Sequence, residues 1–157
     1  MIWVVKVGSQ AIQEGGPLLI QEWMRQVGEL QQKNIQVIWV TSGAISTARS
    51  FLKDTRPHPS IGERQALSAV GQPLLMNIYL QALAHWGLKG AQVLLTAEDL
   101  KIPAREANIR NCLSEILRLG HLPILNENDA TATDEIQFGD NDQLSAQIAH
   151  FMGAKKL

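Results

Sequence analysis

The chain carries a single cysteine, Cys112, among 157 residues. An internal disulfide and a Cys-x-x-Cys redox or zinc pair are therefore excluded. Aromatic residues are scarce, at 5%, and three of the four tryptophans (Trp3, Trp23 and Trp39) sit in apolar segments where core packing accounts for them. Net charge is −1 with Lys and Arg scattered, so no basic field exists for nucleic acid or an anionic membrane. No apolar run approaches the roughly 18 residues of a membrane-spanning helix. The N-terminal residues lack the charged-then-apolar layout of a signal peptide, and a reducing cytoplasm is the expected compartment. His58, His85, His121 and His150 are dispersed and show no zinc spacing. The Gly-x-x-x-x-Gly-Lys-Ser/Thr, Gly-x-Gly-x-x-Gly and Gly-x-Ser-x-Gly motifs are missing, which removes the commonest nucleotide loops and the hydrolase elbow. What is present is 45% hydrophobic sequence, long enough for one domain with a real core.

The apolar runs alternate between two kinds. Ile2 to Val7 is a continuous apolar run with β-branched residues, as a strand covered on both faces is; Ile35 to Val40 reads as a second buried strand, and Ala91 to Leu95 and Leu122 to Leu125 as a third and a fourth. Between them lie segments of helical period. Pro17 opens a helix whose Ile20, Trp23, Met24, Val27 and Leu30 share one face. Ser42-Gly43 leads into a helix to about Leu52, and a loop with two prolines runs from Lys53 to Ile61. A long helix is expected from about Gly62 to Trp86, bent near Gly71-Gln72-Pro73. Another spans Glu106 to Leu119 with Ile109, Leu113, Ile116 and Leu117 inward; Cys112, in the same pattern, reads as a buried small hydrophobe. Ala132 to Phe138 suits a short hairpin, and a last helix runs from Asp140 to Met152. Strand-helix alternation implies an α/β fold with a parallel sheet between helical layers.

In such sheets ligands bind beyond the carboxyl ends of the strands. Four polar clusters fall there: Gly8-Ser9, Thr41-Ser42-Gly43, Thr96 to Asp99, and Asn126-Glu127-Asn128-Asp129. Asn and Asp in alternation offer amides for a carboxylate and carboxylates for an ammonium, as a small zwitterion requires. The same residues also form turns and caps. Lys6 interrupts an apolar strand, either as a snorkelling edge lysine or as a point charge for a moving phosphate. Gly8 and Ser9 after it would let backbone N–H groups and a hydroxyl approach that anion. Ser42 is either a plain helix N-cap or part of an anion site. Asp140, Asn141 and Asp142 occupy a first helical turn, where acids favour the dipole. A functional reading makes Asn141 a donor to substrate and Asp142 the carboxylate that orients a lysine or a metal.

Six segments, in order along nearly the whole chain, together resemble the glutamate 5-kinases of the amino-acid kinase superfamily. They are Val4 to Ser9, Val40 to Ile45, Gln65 to Gln72, Leu94 to Thr96, Pro123 to Thr133 and Gly139 to Ala146. The resemblance implies a three-layer α/β/α sandwich with a mainly parallel sheet, amino-acid kinase-like and incomplete at the C-terminus. It implies ATP-dependent phosphorylation of the L-glutamate side-chain carboxylate with Mg2+, the first step toward proline. By position, Lys6 and Asp142 would be catalytic. Ser42, Asn126, Asp129, Asp140 and Asn141 would bind substrate, and Lys6, Gly8 and Ser9 would face the ATP phosphates. The family is usually homo-oligomeric and inhibited by proline, and Glu135 falls in the loop linked to that inhibition.

Two departures accompany the resemblance. Ala48 stands where the family usually has glycine before an arginine. The chain ends at Lys155-Lys156-Leu157, where the family begins its next strand. Residues 1–157 would thus be the glutamate-binding part, without the ATP-binding part or the RNA-modification-like domain of many members. Such a chain is expected to be inactive alone. The alternatives are a non-catalytic glutamate- or proline-binding module and a related carboxylate kinase.

Overall fold

The computed structural model describes residues 1–96, 98–131 and 141–157. Strands β1 (Ile2–Val7), β2 (Gln36–Thr41), β3 (Gly90–Leu95) and β4 (Leu122–Glu127) form one sheet in the order β1-β2-β4-β3. Every pairing is parallel, from Ile2↔Gln36 to Val7↔Thr41 on one side and Gly90↔Leu122 to Leu95↔Glu127 on the other. Helices α1 (Ser9–Gln32), α2 (Ala44–Leu52), α3 (Ile61–His85), α4 (Pro103–Arg118) and α5 (Asn141–Phe151) connect and cover the strands.

Alternation along each strand divides the core in two. Val37, Trp39 and Ile124 point to one face and pack with Ile20, Met24 and Val27 of α1 and Leu75, Tyr79 and Leu83 of α3. Val4, Ile38, Val40 and Leu125 point to the other and meet Ile109, Leu113 and Leu117 of α4 and Leu144 and Ile148 of α5. Each such side chain, fully buried, contributes roughly 1.5–3 kcal/mol. Parallel strands between helical layers are the expected α/β architecture, although the edge strand β3 leaves Gln92 and Leu94 exposed. At the outer edge of β1, Lys155 N–H donates to the Ile2 carbonyl (2.8 Å) and Val4 N–H to the Lys156 carbonyl (2.9 Å), pairing as a further parallel strand would.

Several local expectations are corrected. Helix α1 begins at Ser9, breaks at Gly16 (φ 57°), and only then resumes with Pro17. A residue before proline avoids the helical region, and Gly16 takes a positive-φ, extended conformation (ψ −162°) that glycine adopts without strain. Helix α3 is one helix through Pro73, as expected. Pro73 is exposed, and so is Ala69, whose carbonyl it leaves without a helical donor and which water can reach. Gly71 instead serves packing: a Cβ there would lie 1.8 Å from the Ala44 carbonyl oxygen and 3.0 Å from the Ala48 methyl. Helix α2 therefore rests directly on α3, and Ala48 is fully buried in that contact. Cys112 is exposed, because the inward stripe of α4 runs through Ile109, Leu113 and Leu117 and leaves residue 112 on its flank. Helix α4 starts earlier than expected, with Pro103 in its first turn. The hairpin expected at 132–138, with Glu135, and Asp140 lie outside the described residues.

Candidate functional site

The carboxyl ends of β1, β2 and β4 lie side by side, and three of the four polar clusters meet there. Asn126 and Glu127 are strand residues, since β4 extends past Leu125. Alternation turns Asn126 toward α3, where its Nδ2 donates to Gln72 Oε1 (2.7 Å). Its Oδ1 accepts the Glu127 backbone N–H (2.9 Å) and Asn141 Nδ2 (3.1 Å). Asn141, in the first turn of α5, also donates Nδ2 to the Thr41 carbonyl and to Ser42 Oγ, both at 2.6 Å. Residues 99 or more positions apart are thereby joined across the strand tips.

Ser42 is not the cap of α2. That position is Gly43 in a left-handed conformation (φ 99°) with no side-chain cap, which leaves the Ser42 hydroxyl to Asn141. Below it, Tyr79 OH meets Thr41 Oγ1 (2.9 Å) and accepts Trp39 Nε1–H (3.1 Å). Burial pushes the Tyr79 phenol up, against the pull of these two hydrogen bonds.

Lys6 follows the opposite alternation. Its Nζ lies 2.8 Å from Asp142 Oδ1, with the lysine mostly covered and the aspartate open to solvent. A Cβ at Gly8 would be 3.7 Å from that same Nζ, so the ammonium sits at the start of α1. Beyond β4, Asp129 Oδ2 accepts Ser68 Oγ–H (3.3 Å) from α3. Burial raises the Asp129 carboxyl, opposed by Ser68 and the Arg64 guanidinium. Half-buried Glu127 is pushed up to about 7 by burial and then by the Asp129 charge, with Arg64 again opposing. A cavity of about 770 Å³ opens over this rim, walled in part by Ser9, Ser42, Gly43, Arg49, Lys53 and Asp129. Lys6, Asn126, Asn141 and Asp142 are not part of its wall.

A family model, the amino acid kinase family, matches residues 1–157. The chain belongs to the amino acid kinase family. It is 45% identical to a glutamate 5-kinase of Wolinella succinogenes, over 98% of this chain and 61% of that protein. It is 41% identical to a glutamate 5-kinase of Shouchella clausii and 45% to one of Trichlorobacter lovleyi, each over 98% of this chain and 42% of the relative. The chain thus spans about half the length of the relatives it matches.

Of the residues singled out in this amino acid kinase chain, the structure joins Ser42, Asn126 and Asn141 directly, and Lys6 to Asp142. Ser9 and Asp129 line the same cavity as Ser42. The Thr96 to Asp99 cluster does not join them. It ends the edge strand β3, and Asp99 is spent on Thr96 N–H and Oγ1 (both 2.7 Å) and on Arg105 (3.0 Å). Thr41 belongs to a polar cluster expected at the strand ends, whereas Ser68, Gln72 and Tyr79 carried no expected role.

Proposed function

We propose that residues 1–157 form the amino-acid-binding part of a glutamate 5-kinase, which transfers the γ-phosphoryl group of ATP to the side-chain carboxylate of L-glutamate. The observation that carries this reading is the convergence of the Ser42–Asn141–Asn126 network with the Lys6–Asp142 pair at one rim. A carboxylate oxygen would attack the γ-phosphorus as its bond to the bridging oxygen breaks, and ADP would leave. Such a transfer needs little covalent help and much positioning and charge neutralisation. The Lys6 ammonium would face the phosphoryl oxygens, held in place by Asp142, with Gly8 and Ser9 at the adjacent helix start. Asp129, one of whose oxygens already accepts from Ser68, would receive the substrate ammonium. Among the described residues no group of three His, Cys, Asp or Glu side chains could hold a metal ion, so Mg2+ would come with the nucleotide phosphates. The adenine and ribose contacts would come from outside residues 1–157. L-Proline would compete for the glutamate site.

A chimaera tests this, with residues 1–157 replacing the matched segment of the Wolinella succinogenes relative. It should form glutamyl phosphate from ATP and glutamate, trapped as the hydroxamate, while the 157-residue chain alone forms none. Calorimetry on the chain should show heat with L-glutamate, displaced by L-proline. A chimaera that folds but phosphorylates another carboxylate in preference to glutamate overturns the reading.

A further inference from the structure

Gln72 is 7% exposed on the buried stripe of α3, among Leu75, Met76 and Tyr79. An amide buried there costs free energy unless it is bonded. Methionine would fill the same volume without that cost, so packing alone does not explain the amide. Its bond to Asn126 does.

That bond has a fixed direction. The Glu127 backbone N–H can only donate, so the end of the Asn126 amide facing it is the carbonyl. The other end is then Nδ2, which requires an acceptor, and Gln72 Oε1 supplies it. Asn126 Oδ1 and the Thr41 carbonyl are both acceptors, so the end of Asn141 that meets them is Nδ2. The donor end of Asn141 is thereby used within the protein, and its carbonyl end is turned away from Thr41, Ser42 and Asn126. A carbonyl presented to a ligand suits an ammonium; an N–H suits a carboxylate.

We propose that Gln72 is a positioning residue that, together with the Glu127 backbone N–H, holds the amide orientation of Asn126 and through it supports that of Asn141, so that the site offers a carbonyl acceptor to the ammonium of an amino acid. The ligand assignment rests on the glutamate reading above; the amide orientation does not. Gln72→Met removes the acceptor at nearly constant volume, and Gln72→Glu keeps one. In the wild-type chain, the side-chain NH2 protons of Asn126 and Asn141 should exchange slowly in 15N NMR spectra. They should lose that protection in Gln72→Met and keep it in Gln72→Glu. Calorimetry with L-glutamate and with glutarate, which lacks the ammonium, reads the consequence. The wild-type preference for glutamate should fall about tenfold in Gln72→Met and hold within about threefold in Gln72→Glu. A purely structural role would weaken both ligands alike in both variants, and that result overturns the proposal. Fast exchange of the Asn126 NH2 in the wild-type chain overturns it without any variant. If the wild-type chain binds neither ligand while the NMR pattern holds, the glutamate assignment fails and the orienting role of Gln72 stands.

Discussion

The rim of the sheet is built in two ways. On the α3 side it is held by neutral groups: Gln72 on Asn126, Tyr79 on Thr41, Ser68 on Asp129. The carboxyls there, Glu127 and Asp129, are both shifted upward by burial. On the α5 side the rim carries an ion pair, Lys6 with Asp142, whose aspartate is open to water. Neutral hydrogen bonds made in a buried setting fix geometry and tolerate little loss, because an orphaned partner cannot turn to solvent. A solvent-facing ion pair contributes little to folding but keeps a charge available. The difference separates the part of the site that shapes it from the part that would act electrostatically.

The largest test of that division is Lys6→Met in the chimaera. Turnover should fall at least about a hundredfold with the glutamate KM changing less than about threefold. Thermal stability should barely move, since the pair it breaks is half open to water. A KM effect that exceeds the kcat effect would place Lys6 among the binding groups and break the comparison.

On the α3 side the expected effect is on stability. Gly71→Ala drives a methyl into the Ala44 backbone carbonyl, which cannot rotate away. Helices α2 and α3 must separate, at a cost of about 2 kcal/mol measured by urea denaturation of the chain. Gly62→Ala, in the same helix with nothing within 4 Å of the new methyl, should gain up to about 1 kcal/mol. Equal effects at the two positions would mean that α2 does not rest on α3 as described.

The same division decides what could be read from sequence. Short apolar runs gave the strands, most plainly β2 and β4, which bury both faces and so show as uninterrupted hydrophobic stretches. Lys6 stood out because it is a charge within such a run, and Asn126 to Asp129 because amides and carboxylates crowd one strand end. Gln72 and Tyr79 did not stand out. A helix tolerates Gln and Tyr anywhere, and only the tertiary fold brings them against residues 54 and 38 positions away. Gly71-Gln72-Pro73 drew attention as a bend within the helix, whereas its glycine serves close helix contact and its proline faces solvent. The role of Gly43 as cap was hidden by the more conventional candidate, Ser42, whose hydroxyl is taken by Asn141.

The smallest test concerns Glu127, at the tip of β4. Its carboxyl titrates near 7 in the folded chain, against 4.5 for an unperturbed group. The folded state therefore binds the proton more tightly than the unfolded state does. By linkage, the Glu127 contribution to stability is fully present below about 4.5 and is lost as pH rises through 7, where the charge must form in a half-buried site. Asp129 is shifted in the same direction and adds slope of the same sign. Glu22, Asp54, Glu63 and Asp99 are all shifted downward, so their contributions change only as pH drops toward and below the ordinary carboxylate range. The window between 4.5 and 7 thus reports mainly on the Glu127–Asp129 pair. With allowance for solvent screening at a half-exposed group, Glu127→Gln should flatten urea midpoints across this window. At pH 8 it should exceed the wild type by about 1 kcal/mol. A variant that instead loses stability at pH 8 would mean the ionised carboxylate is held by Arg64 more strongly than burial opposes it. The α3 side of the rim would then pair charge rather than suppress it.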